Sequence, residues 1–240
     1  MSTATTNFTT SNSAPAPSGR PEPTPVEVFR AIHLDFEGTA TEEPSLLGIA
    51  CEGEWHAVVL EPALRTLAGC GVLGQHVSAA DLPKVLAAVR RRAETEDRRL
   101  FAWSTRELDA ITAALEDPDE IAWWTEHLEN AIPFARRWAR RHGVELPRVR
   151  LPRGHRHTRN HLGRYLAAVG YDVPGGAGPG HTAARIRTLR DQLARRGDWS
   201  GLTATAKGKW TKLCAHNRSD CLGMAAVLGQ VATDLEGEGR

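Results

Sequence analysis

Alternation of apolar and polar positions marks the first ordered element of the chain. Over residues 31–38, Ile32, Leu34 and Phe36 interleave with His33, Asp35 and Glu37, a two-residue period that predicts a strand ended by Gly38. The three polar side chains then share one face, with Asp35 and Glu37 separated by roughly 7 Å of strand rise. Residues 45–51 form a second apolar run, Glu52-Gly53-Glu54 a tight connection and residues 55–60 a third strand. Connections this short imply an antiparallel meander. Residues 62–74 read as a short helix, and Ser78 as the cap of a longer one through Ala93, with Leu82, Val85, Leu86 and Val89 at helical spacing. Residues 100–103 are a buried strand, and Ser104 or Thr105 caps a helix with Glu107 in its first turn.

Helical spacing dominates the remainder, over 119–142, 158–169, 183–196 and about 205–235. The break at 143–153 leaves room for a short strand near Val149. The glycine-rich run 175–180 follows no strand and contains Pro179, so it reads as a connection rather than a phosphate cradle. Three antiparallel strands, a helix, a strand and then helices predict an α/β fold with a mixed sheet. The last helix carries an anomaly. Its apolar stripe through Trp210, Leu213, Met224, Val227 or Leu228, and Val231 also passes through Asn217 and Asp220. An ionised carboxylate facing a core costs several kcal/mol unless a cation or good donors compensate it. His216 stands one turn earlier on the same side. Edge placement of Asp220, bonded to Asn217 or Arg218, is the alternative.

Composition changes the picture in one respect. A formal net charge of +1 over 240 residues excludes a uniformly basic nucleic-acid binder. Yet residues 131–196 hold fifteen arginines against Glu145, Asp172 and Asp191, so the segment 131–204 reads as a basic helical insertion suited to a polyanion. Residues 1–25 and 236–240 read as tails, the first disordered, around a domain spanning 26–235. With no leader, no anchor and four cysteines lacking C-x-x-C spacing, the expectation is a cytoplasmic protein without membrane contact or disulfides. His155, His157 and His161 have a spacing possible for zinc, but nothing nearby completes a set, and a basic surface loop is the better reading. Trp103, Trp123 and Trp124 are stacking candidates, although tryptophans beside apolar neighbours are more often core.

Three motifs together resemble a known family: Leu34-Asp35-Phe36-Glu37-Gly38, Trp103-Ser104-Thr105-Arg106-Glu107, and His216-Asn217-Arg218-Ser219-Asp220-Cys221. The pattern is similar to the ribonuclease H-like fold of the DEDD exonuclease superfamily and, more narrowly, to the YprB-like predicted nucleases. The resemblance spans roughly residues 28–230. It implies a mixed sheet of three antiparallel strands followed by parallel ones. It also implies two divalent ions, Mg²⁺ or Mn²⁺, on Asp35, Glu37, Glu107 and Asp220, with Asp109 competing for the Glu107 role. The middle carboxylate of the family is usually Asp. Its water-positioning residue is a Tyr four residues, or a His five residues, before the last Asp, whereas His216 here stands four before.

The expected activity is metal-dependent hydrolysis of phosphodiester bonds in DNA or RNA, as a 3′–5′ exonuclease, with His216 handling the water's proton. Arg153, Arg156, Arg159 and Arg164 would hold the nucleic-acid backbone. The alternatives are a catalytically inactive nucleic-acid-binding or protein-interaction module of the same fold, and an endonuclease.

Overall fold

A computed structural model describes residues 21–39, 42–148, 160–175 and 181–238. Strands β1 (Ile32–Glu37), β2 (Leu46–Cys51) and β3 (Glu54–Val59) form the expected meander. Glu52 and Gly53 link β2 to β3 with φ of 54° and 80°. Left-handed backbone at both turn positions matches the twist of a two-residue hairpin, and Gly53 adopts it without strain. Two strands, β5 (Leu100–Ala102) and β6 (Leu128–Asn130), continue the sheet in parallel beyond β1, and β4 (Val77–Ala79) pairs in parallel with β3. The order is β4-β3-β2-β1-β5-β6.

Helices cover both faces. The Ile32, Leu34, Leu100 and Ala102 face packs on α2 (Leu82–Glu96), α3 (Arg106–Ala114) and α4 (Pro118–His127), through Leu86, Ile111 and Trp124. The opposite face meets α1 (Pro25–Arg30), α5 (Ala131–Arg141), α6 (Leu162–Ala168), α7 (Thr182–Arg196) and α8 (Ala204–Glu238). The 35-residue α8 runs roughly 50 Å. It touches β1, β2, β3, α1, α5, α6 and α7. Among the described residues no helix is long and apolar enough to cross a membrane. All four cysteines are free.

Three readings of the sequence need correction. The 62–74 helix is instead a 3-10 turn over Pro62–Leu67 and another over Gly74–His76. Ser78 lies in β4 and caps nothing; Asp81 precedes α2. The single helix over 119–142 is two helices separated by β6. Pro133 explains the split, because proline is tolerated in a first helical turn and not in an interior, and Asn130 caps the new start by accepting from the Ile132 N–H at 2.9 Å. Residues 21–24, placed by sequence in the tail, make contacts. Thr24 and Glu27 form a reciprocal cap on α1, and Glu22 pairs with Arg137 at 2.6 Å. The strand near Val149 and most of the glycine-rich run lie outside the described residues.

One buried ion pair ties β6 to β5. Arg99 donates to Glu129 through Nε at 2.8 Å and Nη2 at 2.5 Å, with both side chains almost fully enclosed. Removing one partner strands the other charge. Glu129→Ala is expected to lower stability by about 3–5 kcal/mol, read as a fall in the urea midpoint; an unchanged midpoint would contradict the enclosure.

Candidate metal centre

The polar face of β1 is largely covered by α8, with Asp35 half-buried. His33 and Glu37 are 1% and 5% exposed. At the centre of the crossing is Asn217, wholly buried, which the sequence presents only as a break in an apolar stripe. Its Nδ2 donates to the Asp35 carboxylate at 2.9 Å and to the Asp35 carbonyl at 3.0 Å. Its Oδ1 accepts from Trp55 Nε1 at 3.1 Å. Beneath it, in register with Asp35, is Gly48. A Cβ built on Gly48 would lie 2.0 Å from Asn217 Oδ1, so this glycine leaves open the space that the Asn217 side chain fills.

That docking brings β1 and α8 side chains together. His216 Nε2 lies 3.6 Å from Glu37 Oε1, and His216 Nδ1 lies 3.7 Å from Asp220 Oδ1. One ligand atom from each of Glu37, His216 and Asp220 falls within 4.8 Å of the other two. Asp220 sits at the edge of the core and is partly open to solvent, as the alternative sequence reading has it, yet it is turned toward the cluster. Glu37 Oε1 and His216 Nδ1 are buried with no hydrogen-bond partner. Buried polar atoms without a hydrogen bond call for an explanation, and these two belong to a group whose ligand atoms could hold a metal ion.

Glu107 is buried on α3, whereas Asp109 is exposed; neither Glu107 nor Asp35 belongs to the Glu37–His216–Asp220 group. Its Oε2 accepts from Ser104 Oγ at 2.8 Å and Ser104 N–H at 3.2 Å, which closes the start of the helix. Glu107 therefore has a capping role, and its charge is felt at Asp35.

The electrostatics agree with crowding. Burial raises Asp35 well above the usual carboxylate range; Glu37, Asp220 and Glu107 push it further, and the Asn217 amide opposes them. Burial moves Glu37 up to about 7, against the pull of His216, Thr182 and Arg185. Asp220 and Glu107 are raised by burial as well. The Cys221 thiol, pushed well up by burial, also feels all four carboxylates. Thr182 and Arg185, from α7, were not singled out by sequence. Their signal is weak: a polar first turn and one arginine in the buried stripe of Ile186, Leu189 and Leu193.

Of the predicted nucleic-acid-binding arginines, Arg153, Arg156 and Arg159 lie outside the described residues, as do His155 and His157. Arg164 has a structural task, donating to the carbonyls of Leu146 at 2.6 Å and Pro147 at 3.0 Å. His161 caps α6 by accepting from the Gly163 N–H at 3.1 Å. Trp103 and Trp124 are core residues, and Trp123 stacks on His127 at 4.4 Å.

Gly48→Ala is expected to cost about 1–3 kcal/mol through overlap with Asn217; Gly48→Ala combined with Asn217→Ala should recover part of the loss in urea unfolding. A second expectation concerns pH. In metal-free protein Glu37 keeps its proton up to about 7, while the unfolded chain releases it near 4.5. The folded state then binds more protons across that window, so stability falls as pH rises through it and levels off above. Unfolding midpoints in EDTA should decline across this range, and Glu37→Gln should flatten the decline; a flat wild-type profile would contradict the crowding.

Comparison with known proteins returned no matching family model, no matching curated protein and no matching solved structure.

Proposed function

We propose that this protein is a divalent-metal-dependent nuclease with a ribonuclease H-like fold, hydrolysing phosphodiester bonds of DNA or RNA as a 3′–5′ exonuclease. The observation that carries the reading is the meeting of Glu37, His216 and Asp220 from β1 and α8, where Glu37 Oε1 and His216 Nδ1 are buried without a hydrogen bond. Support for the fold comes from the sheet, in which an antiparallel β1–β2–β3 meander continues beyond β1 into the parallel strands β5 and β6.

Glu37, His216 and Asp220 would hold one ion, and Asp35 with Glu107 would flank a second. Bound there, divalent ions supply a water nucleophile at neutral pH and offset charge on the phosphoryl oxygens. The protein's own part is to fix the ligands. Asn217 orients the Asp35 carboxylate, Ser104 orients Glu107, and Thr182 and Arg185 steady Glu37. His216 has both ring nitrogens turned to carboxylates, so a ligand role suits it better than the proton-accepting role read from sequence. A nitrogen donor among oxygens favours Mn²⁺ over Mg²⁺.

Asp220→Asn is expected to abolish Mn²⁺-dependent cleavage of labelled oligonucleotides while melting in EDTA no lower than wild type, because it removes a repelling charge. Activity should be higher with Mn²⁺ than with Mg²⁺, and circular substrates should resist. Wild-type protein inert on single- and double-stranded DNA and RNA with Mn²⁺ would overturn the reading, leaving a catalytically inactive module of the same fold.

A further inference from the structure

Helix α5 carries arginines on two sides, and the two sides are used differently. Arg137 pairs with Glu22 and lies over the Phe134 ring. Arg136 and Arg140 are exposed, one helical turn apart, with no acidic partner among the described residues. Their side chains thus sit about 6 Å from each other along one line. They open into a cleft of about 710 Å³ between the end of α5, the segment after it and α6. Arg148, also exposed and without an acidic partner among the described residues, and Arg164 complete the basic lining, against a single acid, Glu145.

One tryptophan, the residue before Ser104, meets the cleft wall. Tyr165, in the cleft wall, meets Trp103 edge-on at 5.2 Å, and Trp103 Nε1 donates to the Asn160 carbonyl at 2.8 Å. The next residue is Ser104, which holds Glu107. Both rings, Tyr165 and Trp103, are buried, so they link the cleft wall to the Ser104–Glu107 corner by packing. Exposed guanidinium groups in a row suit successive phosphates, and the apolar floor of Ala139, Val144 and Leu146 leaves room for sugars.

We infer that this cleft binds the sugar-phosphate backbone of a single polynucleotide strand, with Arg136, Arg140 and Arg148 as its phosphate contacts. The binding itself does not rest on the nuclease reading.

The test is fluorescence anisotropy of a labelled single-stranded oligonucleotide over a salt series in EDTA. Wild type is compared with Arg136→Gln/Arg140→Gln, both exposed positions, and with Arg136→Lys/Arg140→Lys. The glutamine pair should weaken binding about tenfold and reduce the slope of log affinity against log salt by about 1.4, or 0.7 per lost phosphate contact. The lysine pair should keep the wild-type slope. An unchanged slope in the glutamine pair would overturn the inference, as would equal competition by a poly-glutamate peptide, which would mean that the cleft reads acidic protein. Mn²⁺-dependent hydrolysis of a small aryl phosphodiester separates the two readings. Equal turnover by wild type and the glutamine pair is the expected result, and turnover lost only in that pair would overturn a separate cleft. Failure of both to turn over the diester counts against the nuclease reading, while the salt slopes still decide the cleft.

Discussion

The centre of this fold depends on a side chain filling space that a glycine leaves open. Asn217 reaches the sheet over Gly48 and is held there by Asp35 and Trp55, so α8 approaches β1 and β2 closely at that point. A buried amide with all its partners present contributes only about 1 kcal/mol net per bond, but leaving those partners unmet costs more. The bonds therefore act mainly by excluding other registers. Once Asn217 is fixed, its helical neighbours follow: His216 precedes it and Asp220 lies a turn further on, both directed at the end of β1.

Two buried acids in the same chain show what is unusual about the cluster. Glu129 is bound at both oxygens by Arg99, and its burial is explained by structure alone. Glu37 lies equally deep, but its Oε1 makes no hydrogen bond and faces the His216 ring at 3.6 Å, with Asp35 and Asp220 adding repulsion. Apolar replacements at these positions would stabilise a protein that needed only a core. A local rule broken without a structural return is what a binding site looks like from the standpoint of folding.

Much of this was legible in the sequence, for reasons that differ by element. The alternation in β1 and the stripe in α8 are long enough for periodicity to register, so Asp35, Glu37, His216 and Asp220 were readable. Strands β4 and β6 have three residues each, too few to show a period, and both were absorbed into neighbouring helices. Pro133 was the available signal for the second error. Glu107 and Asp109 share the first turn of α3, and only packing separates the buried one from the exposed one. Asn217 was visible but mute, since a polar residue in an apolar stripe does not reveal its partner. Arg164 reads from sequence as a phosphate contact because its acceptors, two backbone carbonyls, leave no trace there.

The position of the histidine has a geometric consequence. Side chains four residues apart on a helix are offset by about 40°, and those five apart by about 140°. At the four-residue spacing His216 shares a face with Asp220, and its ring lies between Asp220 and Glu37. At five, the ring would turn about 100° away from that line, free to address a water beside the cluster. On the nuclease reading, this one residue of spacing exchanges an independent imidazole base for a nitrogen in the ligand set. Preference for a nitrogen-tolerant cation and the lack of a separate base would then be a single effect, and bound ions would supply the chemistry that activates water.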